Sequence, residues 1–121
     1  MPKLNHIAVP VRDWTASRDW YTKILGLSLE FEIPERLVAA VKDEGDFAIF
    51  LHQAPVPESA VAFAFTFQVA DVHKSFQQIT QKGITFSFAP QRLAWGYGAE
   101  LIDPNGYRVC IWDEKSMREN T

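Results

Sequence analysis

The residues best equipped for chemistry are the imidazoles of His6 and His52 and the thiol of Cys110. An imidazole titrates near neutral pH, so His6 is a candidate general base. Cys110 would act as a nucleophile only if a nearby cation or base stabilised its thiolate. Arg108 and His6 are the groups for that, and without them the thiol is a small buried hydrophobe. His52 lies just before a proline-rich stretch, and its alternative reading is a solvated or rim residue. His6 reads equally as a side chain bonded to a backbone carbonyl.

Alternation along the flanking segments decides what surrounds these groups. It places His6, Ala8, Phe50, His52, Ala64, Thr66, Gln68, Arg108, Cys110 and Trp112 on inward faces. This mixture of apolar, aromatic and hydrogen-bonding side chains suits a small-molecule pocket. The segment Gln91 to Gly98 sets Trp95 and Tyr97 between glycines, whose backbone freedom would allow it to act as a flap with Trp95 or Tyr97 on the ligand. Trp14, Trp20 and Tyr21 recur at helical spacing and are read as core or subunit contact instead.

These positions belong to a duplicated framework. The segment His6 to Asp13 aligns with Ala64 to Asp71 at a constant offset of 58 residues. In each copy apolar residues alternate (Ile7, Val9, Val11; Phe65, Phe67, Val69) and an aspartate follows, placed to cap a helix. Gly26 and Gly83 then end those helices, and alternating strands are predicted over 27–31 and 84–88. Strand, turn and strand follow over 37–52 in the first copy and 99–112 in the second, where Asp103-Pro104-Asn105-Gly106 supplies turn chemistry. The predicted class is α+β: two tandem β-α-β-β-β modules forming a curved mixed sheet around a ligand cup. Module one spans about 4–52, a linker about 53–60, module two about 61–112, and a polar tail 113–121, all within a single domain.

Composition narrows the function classes. The chain has 121 residues, 47% apolar and 22% charged, as in ordinary folded domains. A domain of this length buries roughly two thirds of its unfolded surface. A net charge of -3 with mixed signs lacks the basic stripe that nucleic acids require. No apolar run nears the roughly 20 residues of a membrane span, and no extended apolar leader is apparent, so no membrane partner and a cytoplasmic location are expected. One cysteine fits a reducing compartment.

The duplicated unit, with Asn5-His6-Ile7-Ala8, Trp20-Tyr21-Thr22-Lys23-Ile24-Leu25-Gly26-Leu27 and Asp103-Pro104-Asn105-Gly106-Tyr107, resembles the glyoxalase/bleomycin-resistance/dioxygenase family of the vicinal oxygen chelate superfamily, from Leu4 to Trp112. The resemblance implies a ligand cup, a homodimer, and in the enzymes a divalent metal held by one ligand from each of four inward strands. Such a set leaves open positions where a substrate oxygen is polarised. At the four corresponding positions this sequence has His6, Phe50, Ala64 and Cys110. Phe50 and Ala64 carry no donor. A metal would need His6 with Cys110, or with His52 if its strand were shifted by two residues.

The preferred expectation is therefore metal-independent binding of a small aromatic or planar molecule, with no cofactor. Its ligand-binding residues would be His6, Phe50, His52, Thr66, Gln68, Trp95, Arg108, Cys110 and Trp112. The alternative is an enzyme of the same superfamily: a metal-dependent lyase, isomerase or dioxygenase, or a metal-free catalyst using His6. A vestigial cup in a structural dimer is the third reading.

Overall fold

The computed structural model describes residues 1–120. The chain divides into two compact units, Met1–Pro57 and Glu58 onward, and each builds its own four-stranded mixed sheet.

In the first unit β1 (His6–Val11), β2 (Ser28–Ile33), β3 (Val38–Lys42) and β4 (Ala48–Gln53) lie in the order β1-β4-β3-β2. β1 runs parallel to β4, and the other pairs are antiparallel. Alternation sends Val9, Val11, Ala39, Val41, Ile49 and Leu51 to one face, where all are buried. Helix α1 (Trp14–Asp19), extended by a wider turn over Trp20–Ile24, packs against β3 and β4. Its Tyr21 is fully enclosed and Trp14 nearly so, as their helical spacing predicts. The Asp13 carboxylate accepts from the amides of Thr15 and Ala16, fixing the helix start.

The second unit repeats the arrangement with β5 (Ala64–Gln68), α2 (Val72–Gln81), β6 (Phe88–Leu93), β7 (Gly96–Ile102) and β8 (Arg108–Trp112), in the order β5-β8-β7-β6. Val72, Ala99 and Ile111 form its core, with Phe67, Val69, Phe86 and Tyr97 packed around them. Asp71 caps α2 as expected, accepting from the Lys74 amide. The polar tail forms α3 (Glu114–Glu119), capped by Asp113.

Two expectations change. The strand predicted over 84–88 begins only at Phe88 and runs to Leu93. The alternation of Ile84 and Phe86 reflects the helix they return from: Phe86 meets Phe76 of α2 edge-on at 4.7 Å. Pro90 is tolerated because β6 is an edge strand with an irregular register between Phe88 and Gln91. The predicted flap over Gln91 to Gly98 is a tight hairpin between β6 and β7, turning at Ala94 and Trp95. Its strands pair Arg92 with Tyr97 and Gln91 with Gly98, so backbone hydrogen bonds hold what the glycines alone would have left mobile.

Candidate functional site

Helices cover one face of each sheet, and the opposite face carries the residues singled out in the sequence. In the first unit, a row crosses all four strands through Ala8, Phe50, Ala40 and Phe31, with Pro10, His52 and Val38 on one side and His6, Ala48 and Lys42 on the other. The His6 imidazole stacks on Phe50 with centroids 3.9 Å apart and planes within 12°. Phe31 meets Phe50 edge-on at 5.4 Å. The Nδ1 edge of His6 lies 2.9 Å from Asn5 Oδ1, which orients the ring. This face of the first sheet is an aromatic platform, with His6 and Phe31 open to solvent.

The equivalent row of the second unit reads Thr66, Cys110, Glu100, Phe88. Duplication has preserved the framework and reversed its chemistry: Cys110 stands in the place of Phe50, and Glu100 in the place of Ala40. Arg108 pairs with Ala64 and Ile102 one step along, while Trp112 pairs with Gln68. Arg108 Nη1 is 3.3 Å from Glu100 Oε1, its Nε donates to the Val61 carbonyl at 3.0 Å, and the Cys110 thiol donates to Glu100 Oε1 at 3.7 Å. Burial pushes the Cys110 thiol above its ordinary pKa, and the Glu100 carboxylate pushes it further. Arg108 and a hydrogen bond with Thr66 oppose the shift without reversing it. A thiol so placed stays protonated, which argues against a nucleophile or a thiolate ligand.

Of the expected ligand-binding residues, the first sheet thus brings together His6, Phe50 and His52 on one face. The second brings together Thr66, Gln68, Arg108, Cys110 and Trp112. Trp95 is half exposed at the hairpin turn, with its indole folded over Gly98. Glu100 was missed because the run Ala99-Glu100-Leu101-Ile102 reads as a strand without further distinction. Its parity with Cys110 was the available signal.

The donor set does not fit the metal that the family resemblance implies. Phe50 and Ala64 offer no lone pair. The two-histidine alternative fails on register: His6 pairs with Ala48 and His52 with Pro10, four residue steps or about 13 Å apart along the strand. Among the described residues, no three His, Cys, Asp or Glu side chains are grouped to hold an ion. A separate groove of about 400 Å³, lined by Arg12, Leu37, Gln53, Ala54 and Pro55, lies at the end of the first sheet. No described helix is long and apolar enough to cross a membrane.

Comparison with known proteins agrees with this architecture. TnmS3, an antibiotic binding protein from Streptomyces sp. CB03234, superposes with a TM-score of 0.78 at 22% identity, covering 93% of this chain and 96% of its own. UcmS2 gives 0.76 at 22% identity, covering 92% and 97%. A glyoxalase/bleomycin resistance protein/dioxygenase superfamily member from Sphaerobacter thermophilus gives 0.75 at 16%, covering 94% and 98%. At such identities the likeness establishes the fold alone. No curated protein matches the sequence. The family model of the Glyoxalase/Bleomycin resistance protein/Dioxygenase superfamily matches residues 3–111, and the chain belongs to that superfamily.

Proposed function

We propose that the protein binds a small aromatic or planar molecule on an open sheet face, by stacking and hydrogen bonding and without a metal. The observation that carries this reading is the His6–Phe50 stack. At a position where a metalloenzyme of the family would present a carboxylate, this chain presents a ring, and the ring engages the one remaining ligand-capable histidine of that set. The pair, with His6 exposed and Phe50 half-buried, and Phe31 edge-on beside it, offers a planar ligand both a face and an edge. The description of TnmS3 as an antibiotic binding protein supports a binding role on this fold.

Protein purified without chelator should contain well under one equivalent of zinc, nickel, manganese or iron. It should bind polycyclic aromatic probes in a fluorescence titration. One equivalent of bound metal, lost in His6→Ala, would overturn the metal-free reading.

Catalysis has one supporting observation, the orientation of His6 by Asn5, which leaves Nε2 as a base. Turnover of 2-oxoaldehyde–glutathione adducts, catechols or epoxides that depends on His6 would favour it over simple binding. The homodimer implied by the family is proposed as well. Gel filtration at the 13.8 kDa of one chain would reject it.

A further inference from the structure

Glu100 is charged, lies in the middle of β7, and is only 9% exposed. Its Oε1 is shared between Arg108 and Cys110. Among the described residues no group donates to its Oε2. That oxygen is not sealed in the interior, because no buried side-chain nitrogen or oxygen among the described residues lacks a partner, so it is an acceptor that a ligand can reach from the open face. Arg108 has the complementary surplus. Its Nε and Nη1 are engaged, while Nη2 has no acceptor among the described residues and the side chain is 41% exposed. The second sheet therefore presents an acceptor oxygen and a guanidinium donor side by side, with Thr66 and Gln68 across β8 on the same face.

The charges of the pair decide which ligand fits. An anionic group reaching Arg108 meets the Glu100 carboxylate, and a cationic group reaching Glu100 meets the guanidinium. A neutral planar group with an N–H or O–H donor beside a carbonyl oxygen satisfies both without either repulsion. We propose that Glu100 and Arg108 form a recognition subsite on the open face of the second sheet for such a group, the carboxamide, lactam or hydroxy-ketone of a small planar ligand. This deepens the binding function proposed above and rests on it.

Three near-isosteric fluorescent probes test the subsite: 2-naphthamide, 2-naphthoate and 2-naphthamidine, titrated against the whole protein and its variants. The wild type should bind the amide about tenfold more tightly than either charged probe, as expected for one hydrogen bond replaced by a like-charge contact. Glu100→Gln leaves the guanidinium uncompensated, so its preference should move to the naphthoate. Arg108→Gln, at a more exposed position, should move it to the naphthamidine even if Glu100→Gln folds poorly. Equal binding of all three probes, unchanged by either variant, would overturn the subsite and leave aromatic binding standing. Failure of every probe to bind would overturn both.

Discussion

The imidazole of His6 lies flat on the ring of Phe50, and Phe31 closes on the same ring edge-on. One strand supplies each member, so the platform depends on the register that sets Ala8 beside Phe50 and Phe50 beside Ala40. The small side chains at Ala8 and Ala40, the cross-strand neighbours of Phe50, leave room for the His6 and Phe31 rings to reach it.

Removing the ring removes the platform. Aromatic pairs contribute about 0.5–1.5 kcal/mol beyond the area they bury. With the lost contact area added, Phe50→Ala should weaken binding of a polycyclic aromatic probe about tenfold, and Phe50→Leu, which keeps bulk without a π face, by less. An unchanged dissociation constant in Phe50→Ala, measured by fluorescence titration, would exclude this face as the stacking site.

Cys110 should be slow to modify. Burial and then the Glu100 carboxylate hold its thiol in the protonated form, whereas alkylation requires the thiolate. Iodoacetamide at pH 7 should label the native protein far more slowly than the protein in urea, and Glu100→Gln should accelerate the native reaction. Labelling of the native protein at the rate of a free thiol would contradict the surroundings described for this residue.

The sequence made the duplication legible because a strand pairs only in discrete registers. The offset between Ile7, Val9, Val11 and Phe65, Phe67, Val69 survives as two equivalent sheets, and the aspartates that follow cap the helices as their spacing predicts. Residues 84–88 misled because Ile84 and Phe86 alternate to meet a helix rather than a partner strand. Glu100 escaped notice because its meaning is lateral. A charge within an apolar strand is unremarkable until pairing places it beside Cys110 and one row from Arg108.

Asp113 should give the protein an acid-sensitive stability. Burial favours its neutral form, but donation from the Val72 amide and from the amide and hydroxyl of Ser116 outweighs this and holds the carboxyl below its ordinary 3.8. A group whose pKa is depressed on folding stabilises the native state above its unfolded value. The contribution is lost as the pH falls through the folded value. Thermal unfolding of the wild type should therefore drop steeply below about pH 4, and Asp113→Ala should flatten that limb. At pH 7 the same substitution strips the first amide of α2 and the start of α3 of their acceptor, and should cost about 1–3 kcal/mol. An acid limb of equal steepness in both proteins would remove Asp113 as its cause.

Gly98 marks where the hairpin and β8 approach most closely. A β-carbon added there would lie 2.5 Å from the Ile111 carbonyl oxygen and 2.6 Å from the Trp95 ring. The ring can swing away, but the carbonyl belongs to the central strand pairing of the second sheet and cannot move without disturbing β8. Gly98→Ala should therefore destabilise by about 1–3 kcal/mol, the range for forcing extra atoms into a filled space. Shortening Trp95 in the double variant Gly98→Ala, Trp95→Ala should restore little of that loss, because the backbone contact remains. Full recovery in the double variant, read from urea unfolding midpoints, would instead show that the indole alone sets the limit at Gly98.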